Sequence, residues 1–508
     1  MKTFMKSFTV MLRFVFISLL TWVVASSVSA TVVYSSSTNK LFIPYLEYKK
    51  QNYDAEWLYC QDCNELAITQ SRLRQNNVYP VYGQRILVDE QLNLHLPRIN
   101  VEGSFYQAEL AFMPEQNTFS VSNLQPLDEH NPLRGELLAT NHEGTYRQSQ
   151  IIQLIAFYSL QNGVSIDLQA ANDVDVFTIS YQTLDPGGEL TPASALIAFP
   201  TGLDTPSPLV AYQHGTLVKR SDALTENTFN APTLGLAASG YVVVSADYLG
   251  FGASKLLHPY IHAHSLAISL IDALRAVRKL AETENIDLNQ QLFLAGYSEG
   301  GYATMALQRE LETHHADEFS ITASAPMAGS YDLSGTMVQR ILDPSPHPNP
   351  YYFSYIVLML EQVYGLFDDF AEVFQAPYNT LIPNYFDGEH DGSEINAYLP
   401  NSTEQLYQAT ILEALNDPGS KINAALAAND LIRWKPTVPT RLYHCQNDEQ
   451  VPFANSQVAY DNFQARGATN VELIIVDDSG FDQNEVHGRC GIQAILMAKE
   501  WFDSLVSD

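Results

Sequence analysis

A serine flanked by two glycines, in the pentapeptide Gly296-Tyr-Ser-Glu-Gly300, is the group in this chain best suited to act as a nucleophile. The apolar run at 291–295 predicts a strand before it, and residues 301–309 have the composition of a helix. At such a strand-to-helix turn, a side chain in place of either glycine would collide with the neighbouring elements. The turn pushes the serine hydroxyl out from the sheet edge, and the helix directs its first N–H groups toward whatever the serine attacks.

A serine hydroxyl is a good nucleophile only when a histidine takes its proton and a carboxylate holds that histidine. His487 is the predicted base, because it follows the last predicted strand, 471–476, and lies in a polar loop before a final helix. Asp448 is the preferred acid, since it comes at the carboxyl end of the short predicted strand 441–445. The alternatives for the acid are Glu449, Asp477, Asp478 and Asp482.

Ester or amide chemistry on a serine also needs two N–H donors for the oxyanion that forms. The amide of Glu299, directly after the serine, is the first predicted donor. Gly215 or Thr216 is the second, because both follow the predicted central strand 208–213. His214 is expected to fix this loop rather than to act as a second base. The carboxylate of Glu299 would place negative charge beside the oxyanion, so its side chain must turn away or be paired.

Three segments together resemble the α/β-hydrolase superfamily. They are Gly-Tyr-Ser-Glu-Gly-Gly at 296–301, Tyr-Gln-His-Gly-Thr at 212–216 and Asp-Tyr-Leu-Gly-Phe-Gly-Ala-Ser at 247–254. Within this superfamily they are similar to secreted fungal and bacterial lipases and esterases that carry a cap inserted before the acid. The resemblance extends over residues 135–508. It implies a mainly parallel, eight-stranded sheet and ester hydrolysis through the serine, aspartate and histidine named above.

The pattern of elements favours the same α/β fold. From residue 174 on, eight predicted strands come first as a hairpin and then in alternation with helices, which indicates a mainly parallel sheet covered on both faces. The alternation stops between 332 and 436. There, apolar residues from Ile356 to Phe374 recur at helical spacing. An aromatic-rich helical cap is therefore predicted above the serine, where it would line the acyl pocket.

An internal repeat with a period of 53 residues occupies the N-terminal part of the chain. Leu41-Phe-Ile-Pro44 recurs as Leu94-His-Leu-Pro97, and Tyr53-Asp-Ala-Glu56 recurs as Tyr106-Gln-Ala-Glu109. Apolar and polar residues alternate within each copy, so two antiparallel meanders are predicted to form a small β domain. This domain could bind substrate or a surface, but a structural role is favoured. The predicted division is 1–30 signal peptide, 31–130 β domain, 131–331 first part of the hydrolase core, 332–436 cap and 437–508 second part of the core.

The first 30 residues predict export. Basic residues precede an apolar stretch at 14–24, and a small-x-small site ends at Ala30, as in a cleaved signal peptide. The stretch is too short for a membrane anchor. The chain has a net charge of −30, which disfavours nucleic acid as a partner. The signal peptide therefore predicts a secreted or periplasmic location.

Four cysteines in an exported chain favour two disulfides. Cys445 lies just before Asp448 and Cys490 just after His487, so the expected pairing of these two would join the acid loop to the base loop. Cys60 and Cys63 would then pair locally. Redox chemistry at this Cys-x-x-Cys is the alternative, but the surrounding pattern is that of a β-hairpin.

Taken together, these features predict an exported serine hydrolase that cleaves carboxylic esters, a lipase or carboxylesterase for a small-molecule or lipid ester with an apolar acyl group. No metal or organic cofactor is implied, and the sequence does not indicate an oligomeric state. One alternative is a serine peptidase of the aminopeptidase type with the same three residues. Another is a catalytically silent binding protein that uses the N-terminal β domain.

Overall fold

The structure, a computed structural model, describes residues 31–48, 51–74, 86–88, 93–127, 129–166, 170–203 and 205–507. The expected signal peptide lies outside these residues. The chain forms two compact units. The first unit contains the described residues up to Glu129 together with 360–369 and 417–428, and the second contains the rest. Both added segments of the first unit come from the range 332–436, for which a cap is predicted.

The first unit is a mainly antiparallel sheet that closes on itself through one parallel pair, β1 with β6. Strands β1 to β4 and β6 to β8 form the closed ring, because β4 pairs with β8 and β1 pairs with both β2 and β6; the short β5 adds to β6. The ring encloses an apolar core in which the Trp57 and Phe119 rings lie 4.6 Å apart. The strands are β1 Val32–Ser35, β2 Lys40–Tyr48, β3 Gln51–Cys60, β4 Glu65–Leu73, β5 Leu87–Val88, β6 Leu94–Val101, β7 Ser104–Met113 and β8 Thr118–Pro126.

The two copies of the repeat have matching strands. β7 and β8 begin and end 53 residues after β3 and β4. The register shift in the β2–β3 pair, between Ile43 and Leu46, has its counterpart between Leu96 and Ile99. Where the copies meet, Leu66 of β4 lies opposite Phe119 of β8, its own counterpart in the repeat. The copies are therefore related by a local twofold axis between these two strands.

The second unit is built on a nine-stranded sheet in the order β17-β16-β15-β14-β12-β13-β11-β10-β9. Its strands are β9 Leu137–Tyr146, β10 Val174–Leu184, β11 Leu190–Pro200, β12 Ser207–Gln213, β13 Val242–Ala246, β14 Leu288–Tyr297, β15 Ala323–Met327, β16 Thr440–Cys445 and β17 Val471–Val476. Eight of them correspond to predicted strands. The ninth, β9, precedes the predicted strands; it pairs with β10 at the sheet edge and is largely exposed, so it lacks the apolar alternation of the others.

The centre of this sheet is parallel, from β13 through β12, β14, β15 and β16 to β17. Strands β12 and β13 are buried at every position, as expected where helices cover both faces. In a parallel sheet, the loops that follow neighbouring strands meet at the same edge. The segments after β12, β14, β16 and β17 therefore converge, and they carry every predicted site residue.

The helices of the chain are α1 Gln148–Asn162, α2 Ala231–Ala238, α3 Ala263–Glu284, α4 Glu299–His314, α5 Val338–Leu342, α6 Tyr351–Tyr364, α7 Tyr378–Tyr385, α8 Gly392–Asn396, α9 Thr403–Leu406, α10 Ala409–Leu415, α11 Lys421–Ala427, α12 Ala454–Ala465 and α13 Val486–Asp503. The apolar helix expected to run on to Phe374 ends at Tyr364, because Gly365 adopts a left-handed φ of 59°. Within the described ranges, no helix combines the length and apolarity needed to cross a bilayer.

Candidate active site

Ser298 lies on a strained turn between β14 and α4. Its φ and ψ are 61° and −122°, a backbone conformation that residues other than glycine rarely adopt. The Ser298 amide donates to the carbonyl of Met327 on the adjacent strand at 2.9 Å, which anchors the turn. A Cβ at Gly300 would lie 2.1 Å from the carbonyl oxygen of Gln213, and one at Gly296 would lie 2.4 Å from that of Gly300. Glycine is therefore required on both sides of the serine.

His487 and Asp448 lie in line with this hydroxyl. The Ser298 Oγ is 2.9 Å from Nε2 of His487, and Nδ1 of His487 is 2.7 Å from Oδ2 of Asp448. The carboxylate can only accept, so Nδ1 donates to it and Nε2 is free to accept the serine proton. His487 comes from the first turn of α13 and Asp448 from the loop after β16. Both are buried, at 7% and 9% exposure, which strengthens the electrostatic interaction between them.

Asp448 is held by four donors. Its Oδ1 accepts the backbone amides of Gln450 and Val451 at 2.9 and 2.8 Å, and its Oδ2 faces His487 and also Nε2 of His444, at 3.3 Å. Burial alone would raise the pKa of Asp448, but the charge of His487 and the hydrogen bonds from His444 and His487 outweigh it and hold that pKa well below its usual range. The carboxylate therefore stays ionised and fixes the tautomer of His487.

Two further side chains fix the backbone of His487. The Tyr297 hydroxyl donates to the His487 carbonyl at 2.7 Å, and Oε2 of Glu449 accepts the His487 amide at 3.0 Å. Burial, and then the nearby charge of Asp448, raises the pKa of Tyr297, so its hydroxyl keeps the proton that it donates. Glu449, one alternative for the acid, thus contacts the backbone of the histidine rather than its ring. Asp478, another alternative, accepts from Asn447 at 2.9 Å.

The loop after β12 lies against the nucleophile. A Cβ at Gly215 would be 4.0 Å from Cβ of Ser298, so the backbone of this loop packs closely against the nucleophile. His214 holds this loop. Its Nδ1 lies 2.7 Å from the Gly215 carbonyl, its Nε2 lies 3.2 Å from the Asp247 carbonyl, and its ring stacks on Tyr248. This arrangement agrees with a loop-fixing role for His214.

The side chain of Glu299 is buried and lies 2.7 Å from the ring of His258. His258 follows β13 in a loop, 41 residues before Glu299, and no spacing in the sequence indicates that the two meet. His444, which contacts Asp448, lies within the predicted strand 441–445. Sequence patterns detect residues that share an element or a motif, and these partners come from different elements.

A disulfide joins the end of β16, just before the loop of Asp448, to the helix α13 that carries His487, since Cys445 ends β16 and Cys490 lies in the first turns of α13. The second disulfide, Cys60–Cys63, closes the turn between β3 and β4 in the first unit. Within the described ranges, no group of three or more His, Cys, Asp or Glu side chains is placed to hold a metal ion.

A cavity of about 600 Å³ opens at Ser298 and His487. Its walls come mainly from α1, the segment 217–235 and α13, and they are mostly apolar. The wall residues include Leu154, Ile155, Phe157, Leu217, Leu224, Ile492, Ile495 and Leu496. Among the described residues of the range 332–436, Tyr352 alone lines this cavity. The expectation that this insertion would line the acyl pocket is therefore wrong for most of the wall.

Known proteins share this architecture. Residues 219–491 match the secretory lipase family. The rice cell wall degrading esterase LipA from Xanthomonas oryzae is 30% identical, covers 74% of this chain and is itself matched over 100% of its length, with a TM-score of 0.68. Candida antarctica lipase A in its closed state shares the fold alone, with a TM-score of 0.51 and 19% identity over 67% of this chain and 76% of its own.

Lipase A from Moesziomyces aphidis is 24% identical over 198 residues. That match spans 36% of this chain and 39% of the lipase, so it covers less than half of either protein. The family match, by contrast, includes the strained serine, Asp448 and His487. The chain belongs to the secretory lipase family and has the α/β-hydrolase fold.

Proposed function

We propose that this protein is an exported serine hydrolase that cleaves carboxylic esters with apolar acyl groups through an acyl-enzyme. One observation carries the proposal: Asp448, His487 and Ser298 form a continuous hydrogen-bonded relay, with separations of 2.7 and 2.9 Å. The strained backbone of the serine and the buried, ionised carboxylate support it. A hydroxyl in this relay has what general-base activation requires.

In the first half of the reaction, Oγ of Ser298 attacks the ester carbonyl carbon while Nε2 of His487 takes the hydroxyl proton. The amide of Glu299 and that of Gly215 or Thr216 donate to the oxygen that becomes negative. His487 then returns the proton to the leaving alcohol as the C–O bond breaks. In the second half, water gives its proton to His487 and attacks the acyl carbon, and the acid leaves as Ser298 is reprotonated.

The cavity walls support an apolar acyl group. Helix α1 has no charged residue over its 15 positions, although the chain as a whole carries 57 acidic and 27 basic residues. Its Leu154 and Ile155 line the cavity beside the serine. A hydrocarbon chain of an ester gains free energy as it leaves water for such walls. The esterase LipA and the Lipase A of Moesziomyces aphidis, to which this chain is similar, support ester hydrolysis.

The peptidase alternative would need a free carboxylate to bind the amine of its substrate. Glu299 is the acid next to the nucleophile, but it is paired with His258 and buried. That pairing removes the feature that kept the alternative open, and ester hydrolysis is the better supported function.

Ser298→Ala tests the proposal. We expect the variant to lose about 10⁴-fold or more of the rate on nitrophenyl esters, because the attacking oxygen is gone. Ser320→Ala, at an exposed serine of the same unit, is the matched control. A fluorophosphonate probe should label the wild type and the control but not Ser298→Ala. Near-normal esterase activity of Ser298→Ala would exclude the relay, and faster hydrolysis of aminoacyl anilides than of esters would favour the peptidase.

Export and domain division are also part of the proposal. We infer that residues 1–30 are removed and that the mature protein begins at Thr31, in agreement with two disulfides, which form in oxidising compartments. N-terminal sequencing of the protein from periplasmic and culture fractions tests this point. A protein that retains Met1 in those fractions contradicts it. The range 332–436 remains the proposed cap.

A further inference from the structure

His258 and Glu299 form a buried pair directly beside the nucleophile. Nε2 of His258 lies 2.7 Å from Oε1 of Glu299, and the two residues are 2% and 3% exposed. Glu299 follows Ser298 in the chain, so the residue whose amide is proposed to bind the oxyanion also carries a carboxyl group. The charge on that carboxyl group therefore bears on the reaction.

The hydrogen bonds fix the number of protons on the pair. Nδ1 of His258 lies 2.7 Å from the carbonyl oxygen of Leu249, which can only accept, so Nδ1 carries a proton. The short contact between Nε2 and Oε1 requires one more proton between them. The pair is then either an imidazolium with a carboxylate or a neutral imidazole with a carboxylic acid. In both forms its net charge is zero.

Aromatic rings surround the imidazole of His258. The ring centroids of Phe251, Tyr355, Tyr248 and Tyr260 lie 5.1, 5.7, 5.9 and 6.1 Å from that of His258. The titratable groups that face the pair are the hydroxyls of Tyr248, Tyr260, Tyr351, Tyr352 and Tyr355, whose pKa values are raised by burial, so they stay uncharged.

Glu299 depends on His258 for its pairing. Within the described part of the chain, Oε2 of Glu299 is buried and has no hydrogen-bond partner. Without His258, a charged Glu299 would be left unpaired in a region from which water is excluded. Its negative charge would then oppose the negative charge that develops on the substrate oxygen in the transition state, with little effect on the uncharged ester before reaction.

We propose that His258 is a positioning residue for this chemistry: it holds the Glu299 side chain in a net-neutral pair, so that the Glu299 amide faces the oxyanion without an uncompensated negative charge beside it. The inference rests on the proposed ester hydrolysis at Ser298. It assigns a function to a residue that does not line the cavity at Ser298, and it explains how an acid can directly follow the nucleophile.

The experiment compares four proteins: wild type, His258→Leu, the double variant His258→Leu/Glu299→Gln, and Ser298→Ala. We expect His258→Leu to lower kcat on a nitrophenyl ester by about tenfold or more, with KM changed less than about threefold. The double variant should recover at least half of the lost kcat on a logarithmic scale, because it has no carboxylate at position 299. The ratio of kcat for His258→Leu to kcat for the wild type should rise as the pH is lowered, since protonation also removes the charge.

A purely structural role for His258 would not produce these changes. Removing Glu299 as well would then fail to restore kcat, and the ratio would not depend on pH; either result overturns the proposal. If His258→Leu does not fold, the same comparison is made with His258→Gln, whose amide can still donate to Glu299 but carries no charge. Ser298→Ala separates the two hypotheses. An active Ser298→Ala overturns the proposed function, whereas an inactive one together with a fully active His258→Leu overturns only the role of His258.

Discussion

Nε2 of His444 lies 3.3 Å from Oδ2 of Asp448, and both side chains are fully buried. The same nitrogen lies 3.0 Å from the Val451 carbonyl, so it carries a proton and donates, while Nδ1 lies 2.8 Å from the Ser456 hydroxyl. His444 is thus a donor that fixes one oxygen of Asp448. Because that oxygen also receives Nδ1–H of His487, the orientation of the proposed base depends on a histidine that is two side chains away from the serine.

Asp448→Asn should lower kcat by about 10⁴-fold, because an amide directed at Nδ1 favours the wrong tautomer of His487. The matched variant is Glu449→Gln. Its amide oxygen can still accept the His487 backbone N–H, so we expect most of the activity to remain. Steady-state kinetics on one nitrophenyl ester compare the two. A greater loss in Glu449→Gln than in Asp448→Asn would reassign the acid.

Replacing both Cys445 and Cys490 by serine should lower stability and activity together. The disulfide closes a loop of 45 residues, and the loss of such a constraint on the unfolded chain costs about 4 kcal/mol. Activity should fall because the same bond joins the loop of Asp448 to the helix of His487. Cys60→Ser/Cys63→Ser is the control, since that bond closes a short turn in the other unit. Chemical denaturation and esterase assays give both quantities. An equal loss of activity in the control would contradict the proposal that the Cys445–Cys490 bond supports activity by joining Asp448 to His487.

Asp430→Asn should change how stability depends on pH. Burial raises the pKa of Asp430 to about 7, although hydrogen bonds from Ser334 partly oppose it. In the unfolded chain the pKa is about 3.9, so between these values the folded state holds a proton that the unfolded state has released. The contribution of Asp430 to the free energy of unfolding of the wild type is therefore complete below about pH 4 and is lost as the pH rises through about 7. An asparagine does not titrate.

We accordingly expect the Tm of Asp430→Asn, relative to that of the wild type, to be higher at pH 8 than at pH 5. Thermal unfolding followed by circular dichroism at the two pH values measures this difference. Asp317→Asn, at an exposed position, controls for the removal of one charge. The same Tm difference at both pH values would show that Asp430 is not protonated in the folded protein at pH 5.

Ile495→Trp should shorten the acyl chains that the protein accepts. Ile495 lies in the cavity wall on α13, and a larger side chain there removes volume beside the serine. We expect kcat/KM for a dodecanoyl ester to fall about tenfold or more relative to that for an acetyl ester. Met497→Trp, on the same helix but at an exposed position, should leave the ratio of the two esters unchanged. An unchanged ratio in Ile495→Trp would mean that the acyl group binds elsewhere.

Local patterns made much of this structure predictable. Glycine is required at 296 by a contact within the turn and at 300 by a contact with the end of β12, and both glycines belong to the strand–serine–helix pattern that identifies the turn in the sequence. The mainly parallel sheet followed from buried apolar strands that alternate with helices. The secretory lipase match and the fold of its relatives confirm the α/β-hydrolase expectation.

Features that depend on distant contacts were not predictable. Strand β9 is polar and exposed on the sheet edge, so nothing in its sequence separates it from a loop. His258 reaches Glu299 from a loop 41 residues earlier in the chain. The origin of the cavity wall was also missed, because α1 lies between β9 and β10 in the chain, far from the serine, and its position beside the serine is set by packing alone.

The pairing of Leu66 with Phe119 has an implication for the origin of the first unit. Leu66 and Phe119 are equivalent positions of the two copies, so β4 and β8 pair as two identical strands related by a twofold axis would pair. Two separate molecules of one 53-residue half would therefore be able to pair through the same strand. A gene duplication with fusion would turn such a homodimer into the present tandem arrangement. The halves would afterwards be free to diverge, and only one of them now carries the Cys60–Cys63 bond.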